Sequence, residues 1–202
     1  IKKGLFFAFA AIIILVPIYI EVSSQNVLEK GKLYKFKPMA NDPFDPFRGQ
    51  YLRVNYRTDN IKTKFDFDER ETAYVSISVD DQGFAFFDEA FMKPPKKKDY
   101  LETSIESTGL GGIAKELDLG MEENGFDISS LDSRRTVRIK IPSNMSKYFI
   151  SEDDALLAEK VLFNEQGNIY MGVRILDGQA RLDNIFVQDQ PILEFLDVKA
   201  KK

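Results

Sequence analysis

The chain has 202 residues, of which 44% are hydrophobic and 30% charged, a balance typical of a folded globular protein. The formal net charge of −4 argues against nucleic acid as a partner, because phosphate neutralisation needs a basic surface. Cysteine and histidine are both absent, which excludes disulfides, Cys nucleophiles, imidazole metal ligands and a Ser-His-Asp triad. We therefore expect no cofactor, no metal and no catalytic residues.

The chain begins with a segment that has the composition of a membrane-spanning helix. Residues 4–20 carry no charge, and this length of helix measures about 26 Å, at the lower end for crossing a hydrocarbon core. The basic flank at residues 1–3 and Glu21 after the segment predict a cytoplasmic N-terminus and a translocated domain. Pro17 is expected to kink or end the helix near the outer interface, where Tyr19 would anchor it.

Two alternatives compete with this uncleaved anchor. A signal peptide has a similar layout, but the bulky residues 18–22 lack the small-x-small pattern of a cleavage site. A buried helix of the soluble domain would leave Lys2 and Lys3 without a purpose. The anchor also carries small residues that would let a neighbouring membrane helix pack closely, namely Gly4, Ala8 and Ala11.

Strand patterns dominate the chain after a polar linker predicted at residues 21–27. Alternation of β-branched and aromatic residues with polar ones predicts half-buried strands. They cover residues 33–37, 51–56, 73–79, 84–87, 136–141, 161–163, 169–176 and 180–187, with a final edge strand at 191–198. Short helices are predicted around residues 113–117 and after Ser151, a capping residue followed by acids.

These elements predict a mainly β domain at residues 28–202, an antiparallel sandwich or barrel with one or two short helices, preceded by the single transmembrane helix. Residues 74–87 and 170–186 both have the pattern of a hairpin, with a strand, a turn that contains Asp and Gly, and a second strand. Hairpins look alike by construction, so accident explains this similarity best. The alternative is a domain of two fused β units, at about residues 28–100 and 132–198.

The most unusual segment is residues 41–56, where two Asp-Pro pairs precede a glycine and an alternating strand. Proline excludes the helical region for the residue before it, and a glycine lets the chain reverse. The following residues alternate between two faces, and burial is predicted for the apolar one, which carries Leu52, Val54 and Tyr56.

This segment resembles the motif that names the GDYXXLXY family of bacterial proteins. Gly49, Tyr51 and Tyr56 match the motif, whereas Gln50 replaces its Asp and Val54 replaces its Leu. The preceding Asp-Pro and Arg-Gly residues and the order of later segments also fit, so that the resemblance extends well beyond the motif.

The resemblance covers about residues 28–192 and implies an envelope protein with an N-terminal membrane segment. Members of the family are often encoded beside polytopic membrane proteins, and the resemblance brings no catalytic residues with it. The motif itself has a structural interpretation, in which Arg48 pairs with Asp42 or Asp45 and the tyrosines pack inside. It also has a binding interpretation, whose candidate interaction residues are Asp45, Arg48, Gly49, Gln50, Tyr51, Arg53 and Tyr56.

The sequence therefore predicts a non-catalytic subunit of an envelope membrane complex, anchored in the bacterial inner membrane, with its domain in the periplasm and a polytopic membrane partner. One alternative is a hydrolase with a Ser-Lys dyad, for which the serines near lysines in sequence are Ser104, Ser143 and Ser146. Another is a domain that binds a small ligand or a cation. Its candidate acids at residues 66–69 and 152–154 lack the spacing of a calcium loop.

Overall fold

The computed structural model describes residues 2–39, 51–108 and 135–200 of the chain. Its elements in chain order are α1 (Lys2–Lys30), β1 (Lys32–Phe36), β2 (Tyr51–Arg53), β3 (Ile61–Thr63), β4 (Thr72–Val79), β5 (Ala85–Phe91), β6 (Tyr100–Thr108), β7 (Arg135–Ile139), α2 (Ser143–Ser146), β8 (Lys147–Phe149), α3 (Glu152–Asn164), β9 (Ile169–Leu176), β10 (Gln179–Val187), β11 (Gln190–Pro191) and α4 (Ile192–Ala200). The helix predicted around residues 113–117 lies outside the described residues.

A nine-stranded sheet in the order β11-β10-β9-β1-β5-β3-β7-β6-β4 forms the body of the domain. Because β4 also pairs with β5, the strands β5, β3, β7, β6 and β4 close into a barrel-like ring. The remaining strands β1, β9, β10 and β11 form a wing that joins this ring where Phe36 pairs with Ala85. The mainly β fold is thus confirmed, and two pairings that the sequence did not predict, β1 with β5 and β3 with β5, are parallel.

The core follows from the alternation of apolar residues along these strands. In β9 and β10, side chains that point to one face are almost completely buried, whereas those on the other face are partly exposed. Complete burial of one such aliphatic side chain contributes about 1.5–3 kcal/mol. The core includes Tyr34, Phe36, Val75, Leu101, Ile105, Ile139, Met171, Val173 and Ile185.

Helix α1 is long and apolar enough to cross a membrane, because an 18-residue window between Phe9 and Lys30 has a mean hydropathy of 1.6. It also corrects two predictions. Pro17 was predicted to kink or end the helix, and the second alternative is wrong because the helix continues past it to Lys30; the segment 21–27 is helical instead of forming a linker. The polar residues of that segment include neither glycine nor proline, so the helix continues until Gly31.

Two strand predictions in the C-terminal third were wrong. Residues 161–163 belong to α3, and residues 192–198 belong to α4. In α4 the buried residues Ile192, Phe195 and Leu196 are spaced as on one helical face. The predicted helix start after Ser151 is confirmed, because its hydroxyl accepts a hydrogen bond of 3.3 Å from the Asp154 amide.

The β9–β10 turn yields a testable prediction about stability. Gly178 has φ of +84°, and a Cβ there would lie 2.6 Å from the Tyr100 ring. Gly178→Ala should therefore lower the free energy of unfolding in urea by more than the about 1–2 kcal/mol expected for left-handed backbone alone. Gly83→Ala is the matched control, because Gly83 has φ of +85° with nothing within 4 Å of the added Cβ. Equal losses in the two variants would contradict the contact with Tyr100.

Candidate functional site

The family-like motif leads into a small two-stranded sheet, formed by β2 and β8, which we call the motif sheet. In it Tyr51 pairs with Phe149, Leu52 with Tyr148 and Arg53 with Lys147. Of the predicted interaction residues, Tyr51, Arg53 and Tyr56 are described. The others lie outside the described residues, namely Asp45, Arg48, Gly49 and Gln50.

The predicted division of the strand into two faces is confirmed. Leu52, Val54 and Tyr56 are each at most 5% exposed and belong to the core of the domain. Tyr51 on the opposite face is half-buried and Arg53 is exposed. The predicted interaction residues are therefore not all at one site, because Tyr56 points into the interior while Tyr51 and Arg53 face outward.

Tyr56 holds the motif to the rest of the core. Its hydroxyl donates a hydrogen bond of 2.8 Å to the Met145 carbonyl, and its ring meets Phe36 edge-on with centroids 5.6 Å apart. Burial raises the pKa of the Tyr56 hydroxyl well above its ordinary value, so the group remains a donor. The Val54 amide adds a bond of 2.9 Å to the Ser146 carbonyl. This half of the motif is structural.

The outward face of the motif sheet combines aromatic and cationic side chains. The Tyr51 and Phe149 rings meet edge-on at 6.0 Å, and Lys147 Nζ lies 4.8 Å from the centroid of the Tyr51 ring. Phe149 is 71% exposed, a high value for an aromatic residue. We call the four residues of this face, Tyr51, Arg53, Lys147 and Phe149, the motif surface.

Sequence reasoning missed Lys147 and Phe149 as site residues. They lie far from Tyr51 along the chain, and only the pairing of β2 with β8 brings them beside it. A weak signal was present, since Tyr148, Phe149 and Ile150 form a short run of aromatic and β-branched residues, which favours a strand.

The structure also describes some of the residues named for the cation-binding and hydrolase alternatives. Within the described ranges, no three acidic side chains lie close enough together to hold a metal ion. Asp66 pairs with Arg135, and Glu152 begins α3. Ser146 donates a hydrogen bond of 3.4 Å to the Ser143 carbonyl within α2. The motif surface provides the outward-facing aromatic and cationic side chains that the binding interpretation of the motif requires.

Comparison with known proteins places the chain in a family. The family model described as GDYXXLXY protein matches residues 13–185, from the exposed part of α1 to near the end of β10. The chain belongs to the GDYXXLXY family. No curated protein and no solved structure matches it.

The motif that gives the family its name has two roles in this GDYXXLXY protein. Its first tyrosine, Tyr51, lies on the motif surface, whereas its last, Tyr56, is buried with a paired hydroxyl. Val54, which replaces the leucine of the motif, is 1% exposed, so an aliphatic side chain of smaller volume fills that core position. The motif therefore specifies both a contact within the core and an outward-facing, half-buried aromatic residue.

Proposed function

We propose that this GDYXXLXY protein is a non-catalytic, membrane-anchored subunit of a bacterial envelope complex. In this proposal α1 lies in the inner membrane, the β domain lies in the periplasm, and the motif surface binds a polytopic membrane protein. One observation carries it: the chain exposes both an apolar helix of membrane-spanning length and an aromatic, cationic surface built on the family motif.

The exposure of α1 supports membrane anchoring. Large apolar side chains between Ile12 and Ile20 are at least half exposed, and only 6% of the apolar window is buried by the domain. Each such side chain gains about 1.5–3 kcal/mol when it leaves water, and a bilayer provides that environment along the whole segment. Lys2 and Lys3 at the start of this helix and Glu21 after its apolar part favour a cytoplasmic N-terminus.

The composition of the motif surface supports protein binding. Tyrosine and arginine are enriched among the residues that dominate interface energies, and an exposed aromatic ring such as Phe149 gains by entering a pocket of a partner. The contact with Phe149 limits the rotamers of Tyr51, which reduces the entropy lost on binding. Lys147 and Arg53 favour a partner segment that carries acidic side chains near the aromatic contact.

The proposal predicts which protein should be recovered with the chain. After extraction in mild detergent, the full-length protein should retain one polytopic membrane protein in stoichiometric amount, measured by gel filtration and mass spectrometry. Phe149→Asp should abolish this retention, because it places a charge where an aromatic contact forms.

The matched control for this experiment is Phe86→Asp. Phe86 is 45% exposed on β5, so the same substitution alters a comparable surface residue away from the motif. Retention should be unchanged in this variant. Recovery of a clean monomer from the unaltered chain, or equal retention by both variants, would refute the proposal.

A further inference from the structure

The last two turns of α1 lie on the β9–β10 hairpin. Ser23 Oγ donates a hydrogen bond of 3.1 Å to Gln179 Oε1, and the Arg181 guanidinium donates to Ser24 Oγ. Val27 is only 3% exposed although it stands apart from the main core cluster. The helix is therefore docked onto the domain where the sequence suggested a linker.

The C-terminal end of α1 also contacts the hairpin through hydrogen bonds. Arg174 Nη1 donates to the Gly31 carbonyl over 3.2 Å, and its Nε donates to Asp183 Oδ2 over 3.0 Å. A Cβ on residue 31 would lie 2.2 Å from the Val27 carbonyl oxygen, which is closer than Cβ atoms come. The end of the helix and the sheet are therefore closely packed, and we call this contact region the junction.

These contacts give the direction in which α1 crosses the wing. Ser23 and Ser24 contact β10, whereas Gly31 contacts β9 and leads directly into β1. Eight residues of helix rise about 12 Å, and two strand spacings measure about 10 Å, so the helix crosses the strands obliquely instead of running along them. Because the apolar part of α1 precedes Ser23, β10 is the strand of these three that lies nearest the membrane-spanning segment.

The motif sheet packs beside this same strand. Tyr148, between Lys147 and Phe149 on β8, donates a hydrogen bond of 3.2 Å to Asn184 Oδ1 on β10. Asn184 lies at an irregularity in the pairing of β10 with β9, where an extra residue is inserted after Leu182. Along the hydrogen-bonded sheet, β9, β1 and β5 separate β3 from β10, whereas the β9–β10 turn contacts the ring at β6, where the Glu102 amide donates a hydrogen bond of 2.8 Å to the Gly178 carbonyl.

We propose that this junction fixes the domain in one orientation on the membrane, with β10 and the motif surface toward the bilayer and β3 away from it. The motif surface then meets its partner at the level of the lipid headgroups, where an integral membrane protein fits and a freely soluble protein does not. This inference rests on the proposed function for the membrane and the partner, whereas the fixed orientation is a separate claim about geometry.

The absence of cysteine makes the orientation directly measurable, because single spin labels can be introduced without removing native thiols. The full chain would be reconstituted in phosphatidylcholine nanodiscs doped with a nickel-chelating lipid, and labelled separately through Ile13→Cys, Phe149→Cys and Lys62→Cys. The label at 13 should show the high oxygen accessibility of the bilayer interior. Relaxation by headgroup nickel should be several-fold stronger at 149 than at 62, although both positions are exposed.

The outcomes separate the two claims. A label at 13 outside the lipid would overturn both the anchoring and the orientation, whereas a buried label at 13 with equal relaxation at 149 and 62 would overturn the orientation alone. A Gly-Ser-Gly-Ser insertion between Val22 and Ser23 should bring the two relaxation rates together, because it uncouples the helix from the hairpin. The control is the same insertion between Lys96 and Lys97, in an exposed segment, which should leave the ratio of the relaxation rates at 149 and 62 unchanged. If the insertion at the junction also left this ratio unchanged, the role of the junction would be contradicted.

Discussion

Two aspartates in the middle of α1, introduced as Ile13→Asp and Leu15→Asp, are expected to release the chain from the membrane. At the centre of a membrane helix an aspartate costs about 2.5–3.5 kcal/mol, whereas isoleucine or leucine contributes about −0.3 to −0.6 kcal/mol. The two substitutions together should therefore cost about 6–8 kcal/mol of insertion free energy. The unaltered chain should remain in the membrane pellet after alkaline carbonate extraction, and the double variant should appear in the supernatant.

The control for this prediction keeps the side chains apolar. Ile13→Ala with Leu15→Ala removes bulk but adds no charge, so this variant should stay in the pellet. The β domain should fold in both variants, because the large apolar side chains at these positions are more than half exposed and contribute nothing to its core. If the aspartate variant stayed in the pellet while folded, α1 would not be the element that holds the protein to the membrane.

The sequence predicted the parts of the fold in which one local pattern decides the structure. Alternation in β9 and β10 was read correctly because the turn at Asp177 and Gly178 marks the reversal between two strands with one buried face. The burial of Leu52, Val54 and Tyr56 followed from the same rule. The cap at Ser151 is likewise local, since its hydroxyl and the amide it accepts from are three residues apart.

The sequence was misleading where an apolar segment fitted both a strand and a buried helix. The segment after Pro191 is rich in apolar residues, but those that become buried follow a helical spacing, and α3 provides a surface against which they pack. Residues 161–163 were read as a strand from three consecutive apolar side chains, whereas Val161 and Leu162 continue the buried face begun by Ala155 and Ala158. Short apolar runs do not distinguish strand from buried helix without their tertiary context.

The candidate site shows a different limit of prediction from sequence, which is the pairing of segments far apart in the chain. Tyr51 and Arg53 could be found from the motif, but their neighbours on the motif surface come from β8, and no local signal specifies that pairing. The docking of α1 was missed for a similar reason. Polar residues such as Ser23 and Ser24 are typical of a linker, and they became helix contacts only because Gln179 and Arg181 lie beside them.

The last tyrosine of the motif should matter for stability rather than for binding. Tyr56→Ala removes a ring that is 4% exposed and packs against Phe36, so the free energy of unfolding should fall by about 3–5 kcal/mol, as for other large aromatic truncations. Tyr56→Phe keeps the ring and removes only the hydrogen bond to the Met145 carbonyl, which should cost about 1–2 kcal/mol. Urea unfolding followed by circular dichroism measures both losses.

The matched control for Tyr56→Phe is Tyr51→Phe, which removes the hydroxyl of the first tyrosine of the motif. Its ring is half-buried on the motif surface, so the loss of its hydroxyl should change the free energy of unfolding by less than about 0.5 kcal/mol, as is usual for surface substitutions. Tyr56→Phe, once folded, should still retain the membrane partner that Phe149→Asp loses. A folded Tyr56→Phe protein that no longer retained this partner would show that the buried tyrosine acts in recognition, because its ring and the outward face of the motif sheet are left in place by the substitution.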